Sequence, residues 1–140
     1  MIKTERFRKD HEGLMEMATE LSKHLKADVL ATNAAPTCKL IAQMSGVLNI
    51  HLSAEDNNLY PLLLKSTDKN TRETAISFQK EMGGIKDVLK GYFTKWASPM
   101  NVQKDPKGFI TATQGLLGAL KNRIDKENTV LYDLADKLAA

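Results

Sequence analysis

The stretch Met44-Ser45-Gly46-Val47-Leu48-Asn49-Ile50-His51-Leu52-Ser53-Ala54-Glu55-Asp56-Asn57-Asn58-Leu59 decides the fold. Met44, Leu48, His51, Glu55, Leu59 and then Leu62 fall three and four residues apart, the spacing that draws one stripe along a helix. The stripe is apolar except at its middle, where a histidine and a carboxylate occupy consecutive turns. Upstream, Pro36 suits a first helical turn, where its missing N–H costs nothing, so the helix is expected to begin there. Downstream, Pro61 is expected to kink it and the polar run Ser66 to Asn70 to end it.

Three further segments repeat the pattern. Phe7, His11, Leu14, Ala18, Leu21 and Leu25 mark a helix before the break at Asp28 to Ala35. Ala75, Phe78, Met82, Ile85, Leu89, Tyr92 and Trp96 mark one after the polar turn, with Gly83-Gly84 in mid-helix, where close packing or bending is expected to compensate their low helix propensity. A loop is expected from Ala97 to Lys104, after which Asp105-Pro106 supplies an N-cap and a first-turn proline. Phe109, Thr113, Leu116, Leu120, Arg123, Glu127, Leu131 and Leu134 then form the fourth stripe. Short connections between long helices favour antiparallel neighbours, so the sequence predicts an all-α, up-down-up-down antiparallel four-helix bundle. One domain over residues 1–140 is expected, with no internal repeat.

Counting outward from each connection at about 1.5 Å per residue brings the polar interruptions to one level. His11, His51, Glu55, Arg123 and Glu127 are expected to share an inner layer, with Met82 at the same height. Isolated ionised groups in an apolar core cost several kcal/mol, so such a layer implies either a metal or a mutually satisfying polar network. Two imidazoles and two carboxylates suit Fe, Mn or Zn. Taken singly, each residue has a plainer role: His11 as an interior histidine, Glu127 as the i+4 partner of Arg123, Met82 as core filler.

Hydrophobic residues make up 42% and charged residues 26% of the 140, values of an ordinary globular chain. The net charge of +3 comes from lysines scattered over every segment, and no zinc-finger, helix-turn-helix or RNP-type signature accompanies them, so no nucleic-acid partner is expected. The lone Cys38 forms no internal disulfide, and the charged start from Met1 to Asp10 lacks the apolar run of a leader. A cytoplasmic location without membrane attachment is therefore expected. No nucleophile-and-base constellation is evident, so no catalytic residues are assigned and the chain is not expected to be an enzyme. His24 is expected on another, exposed face.

Asp10-His11, His51-Leu52-Ser53-Ala54-Glu55 followed by Leu59-Tyr60-Pro61, Asp105-Pro106 before Phe109, and Glu127 followed by Leu131-Tyr132 together resemble the hemerythrin-like (HHE cation-binding) domains over nearly the whole chain. The resemblance implies a four-helix bundle of the kind that holds a non-haem di-iron centre, in proteins of oxygen carriage, redox or gas sensing and stress response. On that pattern His11, His51, Glu55 and Glu127 match metal ligands. Met82 and Arg123 stand where histidines would be expected. Thioether sulfur is a poor donor to hard iron and a guanidinium cannot deprotonate, so a full di-iron centre is not expected and Arg123 with Met82 marks the second-metal position, the arginine compensating charge there.

Two readings stay open at this stage. In the first, a single Fe, or Mn or Zn, is held by His11, His51, Glu55 and Glu127 in a metal-binding, redox- or gas-sensing or stress-response module. In the second, the same residues form a metal-free network inside a regulatory module that binds a protein partner. Sequence leaves the partner and the oligomeric state undetermined.

Overall fold

The computed structural model describes residues 4–139, so the charged start at Met1 to Lys3 lies outside the described residues. Its elements are α1 (Thr4–Lys23), α2 (Ala27–Leu30), α3 (Ala35–Ala54), a π-helical turn (Glu55–Leu59), α4 (Tyr60–Leu64), α5 (Lys69–Trp96), α6 (Pro99–Lys104), α7 (Pro106–Lys126), a second π-helical turn (Glu127–Leu131) and α8 (Tyr132–Ala139). The described residues contain no strand. α1, α3–α4, α5 and α7–α8 are the four long members of an antiparallel bundle, with α1 packed on α3 and α7 and α5 packed on α3 and α7.

The punctuation follows the sequence. Pro36 sits in the first turn of α3, Asp68 caps α5 by accepting from the Thr71 amide at 3.0 Å, and Asp105 caps α7 through the Gly108 amide at 3.0 Å. Two connections are more ordered than expected. The break after α1 contains α2, whose Leu30 is fully buried, and the expected loop at 97–104 is mostly α6, whose Val102 is likewise buried. Each short helix thus closes the same end of the core. The Gly83-Gly84 pair departs from expectation too: α5 runs through it unbroken, and a β-carbon at either position would meet nothing within 4 Å. Close packing does not explain these glycines.

The interior is divided in two. The larger apolar compartment runs from Leu14, Met44, Met82 and Ile124 to Trp96 and Phe109, and the smaller holds Phe7, Leu59, Leu63, Ala75, Phe78, Leu131 and Ala135. Between them lie buried His11, His51, Glu55, Arg123 and Glu127. Counting from the connections located this polar layer because rise per residue is fixed in a helix.

The seams beyond the layer do not follow the expected register. Leu62 and Leu134 were expected to face inward, but Leu62 is 36% exposed and Leu134 half-buried, whereas Leu63 and Ala135 are fully buried. Both shifts have one cause. The Tyr60 amide donates to the Glu55 carbonyl and the Tyr132 amide to the Glu127 carbonyl, i+5 bonds that insert one extra residue into a turn and slip the following stripe by one. Pro61 is not the common reason, since the second wide turn contains no proline. We predict that Leu63→Ala lowers the urea-melt stability by about 2–5 kcal/mol and Leu62→Ala by under about 1 kcal/mol. The reverse order would show that the stripe continues with α-helical spacing.

Candidate metal centre

Each inward-facing histidine is gripped from behind. His11 Nδ1 lies 2.8 Å from Asn128 Oδ1, and His51 Nδ1 lies 3.1 Å from Asp10 Oδ2. Oxygen acceptors at both Nδ1 atoms place the protons there and turn the Nε2 atoms to the centre, the orientation in which metal-binding histidines are usually held. Asn128 is itself anchored, because its carbonyl accepts from Arg8 Nη1 at 3.0 Å and Arg8 pairs with Asp133 and Asp136 on α8.

The inward atoms converge. His11 Nε2 lies 3.1 Å from His51 Nε2 and 3.0 Å from Glu127 Oε1, and His51 Nε2 lies 4.0 Å from Glu127 Oε1. Their side chains are 2–3% exposed. Metal–nitrogen and metal–oxygen bonds of about 2.1 Å place neighbouring donors about 3.0 Å apart in octahedral and about 3.4 Å apart in tetrahedral geometry. Two of the three separations match that spacing and the third is wider, so His11, His51 and Glu127 form a buried triad that can hold one metal ion. Glu55 joins at one edge, with Oε1 3.2 Å from His51 Nε2 and Oε2 accepting from the Tyr132 hydroxyl at 2.8 Å.

Without a metal, lone pairs facing one another across about 3 Å need a proton between them. Burial alone would lower the pKa of His51, but Glu127, Glu55 and Asp10 outweigh it and raise it to about 10. Glu127, whose burial opposes ionisation, is nonetheless held down to about 2 by His11 and His51 and by the Arg123 charge. Glu55 shifts the other way, raised chiefly by burial and by the Glu127 charge against the pull of His51. A proton on His51 thus joins Arg123 in balancing the carboxylates of the metal-free layer.

The other half of the layer belongs to Arg123. Its Nε donates to Glu127 Oε2 at 3.2 Å, and Nη2 donates to the Tyr60 hydroxyl and the Phe78 carbonyl, both at 3.0 Å. Nη1 makes no hydrogen bond among the described residues and faces Glu81 Oε1 at 3.6 Å. The guanidinium also lies over the Phe78 ring, 4.7 Å from its centroid. Glu81, pulled down by Lys126 first and then by Arg123, screens it at the rim. Arg123 was expected in one layer with Glu55 and Glu127. It pairs with Glu127 and Glu81, while Glu55 pairs with His51.

Met82 lies where the level count put it, lining a cavity of about 20 Å³ with Leu14, Met44, Leu48, Leu120 and Ile124 beside His11, His51, Arg123 and Glu127. That volume exceeds the roughly 10–15 Å³ one water needs, and its walls are mostly apolar. His24 stays outside the layer, but it is half-buried rather than exposed, with Nδ1 2.9 Å from Thr37 Oγ1.

Two aromatic members went unassigned in the sequence. The Tyr132 hydroxyl lies 3.1 Å from His11 Nε2, and the Tyr60 hydroxyl takes the Arg123 bond. Five residues after a glutamate, an α-helix would turn each tyrosine about 140° away from it, and only the wide turns bring both inward. The available signal was a short echo, His51, Glu55, Leu59 and Tyr60 against Arg123, Glu127, Leu131 and Tyr132, at identical spacing. It differs at one informative position, histidine against arginine.

Deleting the guanidinium would leave Glu127 Oε2 without its cationic partner. Arg123→Ala is predicted to lower the stability of the metal-free protein by about 3–5 kcal/mol, the usual cost of breaking a buried ion pair. A divalent cation should recover part of the loss, since it binds only the folded site. An unchanged urea midpoint in the chelator-treated variant would contradict the pairing.

No described helix is long and apolar enough to cross a membrane. A family model described as Hemerythrin HHE cation binding domain matches residues 3–135, which take in the bundle as far as the first half of α8 and both wide turns. Comparison with curated proteins and with solved structures finds no significant match. With the polar layer, the bundle and the matched span in agreement, this chain belongs to the hemerythrin HHE cation-binding domain family.

Proposed function

We propose that the protein binds one metal ion, iron foremost, through His11, His51 and Glu127 with Glu55 as the adjoining carboxylate, and acts as a mononuclear sensing or stress-response module. The observation that carries this is the division of the layer. One half holds inward-turned donors at coordination spacing, and the other half is filled by a guanidinium bonded to Glu127, Tyr60 and a backbone carbonyl. A fixed positive charge there opposes a second cation, and Met82 offers only a thioether. Imidazole and carboxylate donors suit Fe, with Mn and Zn as competitors.

The cavity beside the triad supports the sensing part. It has room for one water-sized ligand and touches His11, His51 and Glu127. A bound metal would supply a Lewis-acidic or redox-active centre there. The chain's own groups exclude bulk water through Leu48, Leu120 and Ile124 and fix both imidazoles through Asp10 and Asn128. Catalysis is not part of the proposal.

A metal-free module that binds a protein partner is the second reading. It is favoured by the hydrogen bonds the layer makes without any ion, Tyr132 to Glu55 and Arg123 to Tyr60 among them. Metal analysis of protein purified without chelator separates the two. One equivalent per chain, lost in His11→Ala and His51→Ala, is the expected result, and metal-free wild type that also resists loading would overturn the metal reading. Met82→His combined with Arg123→His is predicted to raise the content toward two, by replacing a thioether and a guanidinium with nitrogen donors. Two tightly held equivalents in the unaltered chain would contradict the single-site assignment.

A further inference from the structure

We infer that the phenol oxygen of Tyr132 is itself a metal ligand, bound as phenolate, so that the site is a tyrosine-ligated centre selective for ferric iron. The inference rests on the single-metal reading above and adds a donor to it.

The geometry separates a ligand from a supporting hydrogen-bond donor. A supporting group touches one ligand from outside. The Tyr132 oxygen instead lies 3.1 Å from His11 Nε2, 3.4 Å from His51 Nε2 and 3.4 Å from Glu127 Oε1. Those three nitrogen and oxygen atoms are 3.0, 3.1 and 4.0 Å from one another. The four atoms are thus the corners of a tetrahedron with edges of 3.0 to 4.0 Å, against about 3.4 Å expected around a metal with bonds of about 2.1 Å. Were the phenol oxygen a hub at the centre, every pair of the other donors would stand well beyond its own distance to it. Two of the three pairs, at 3.0 and 3.1 Å, stand no farther apart than they do from the phenol oxygen, and the third is 4.0 Å, so it is a corner.

The surroundings fit that role. Tyr132 is buried, its ring stacked on Phe7 and His11 at 5.7 and 5.2 Å, and the wide turn at Glu127–Leu131 aims it inward. Its hydroxyl donates to Glu55 Oε2 at 2.8 Å. On ligation the phenol O–H bond breaks as the oxygen–metal bond forms and its proton passes to Glu55 Oε2, while His51 gives up its Nε2 proton as that nitrogen takes the ion. Anionic oxygen alongside carboxylate favours the harder ferric ion over softer cations. The pseudo-equivalent Tyr60 meets a guanidinium instead, which makes it the internal control.

The test loads the full chain with ferric citrate and reads iron content together with visible absorption and resonance Raman. Wild type is expected to hold one iron with a visible phenolate-to-iron charge-transfer band and tyrosinate ring modes. Tyr132→Phe is expected to lose both. The combined Tyr60→Phe and Tyr92→Phe variant, which leaves Tyr132 as the only one of the three tyrosines, is expected to keep both. Should Tyr132→Phe fail to fold, that double variant decides alone. One bound ferric ion without the band in wild type, or a full band in Tyr132→Phe, overturns the ligand assignment while leaving the metal reading standing. Failure of wild type to retain iron overturns both.

Discussion

Three lone-pair atoms, two from imidazoles and one from a carboxylate, are held within 4.0 Å of one another in a water-poor interior. That constraint shapes the rest of the molecule. Electron-rich atoms so placed need a cation, and burial removes the solvent that would otherwise screen them. Asp10 and Asn128 prevent the imidazoles from escaping by rotation, since turning either ring would abandon an Nδ1 bond to oxygen. A proton on His51 satisfies the cluster in part, and a divalent or trivalent ion satisfies it more fully.

The bundle supplies the layer by breaking its own regularity twice. At Glu55 and again at Glu127 a helix widens by one residue, and each widening brings a tyrosine into the same layer as its glutamate. Wide turns of this kind often mark functional sites because they trade helical regularity for side-chain placement. The two halves so produced are alike in every named residue except the one four positions before each glutamate. With His51 in that place, the layer gains an imidazole that joins His11 and Glu127 of the other repeat as donors. With Arg123, the layer carries a fixed cation, bonded to Glu127 of its own repeat, to Tyr60 of the other and to the Phe78 carbonyl. In a family of cation-binding domains, this chain thus sets a buried triad that can hold one ion beside a guanidinium and the thioether of Met82.

The bundle and the height of the polar layer were legible because both depend on α-helical period and rise, which are nearly invariant. His11, His51, Glu55, Arg123 and Glu127 were found that way, each as a polar residue on an apolar seam. What lay beyond the wide turns was not legible by the same rule. Leu62 and Leu134 lost the inward positions to Leu63 and Ala135, and Tyr60 and Tyr132 went unassigned, since a 3.6-residue period turns a residue five positions on to a different face. The pairing of Arg123 with Glu127 was legible as an i+4 spacing, but its bonds to Tyr60 and Phe78 and its approach to Glu81 depend on side-chain direction across helices, which spacing along one helix does not encode. Close packing or bending was expected at the glycines at 83 and 84, and the open space around them does not support the packing alternative.

The most direct measurement is anomalous diffraction at the iron absorption edge from crystals of iron-loaded protein. A single peak is predicted, about 2.1 Å from His11 Nε2, His51 Nε2 and Glu127 Oε1, with the Arg123 guanidinium still bonded to Tyr60 and Phe78. Two peaks within the layer, with Arg123 swung out to solvent, would contradict the account, as would a single peak outside the triad.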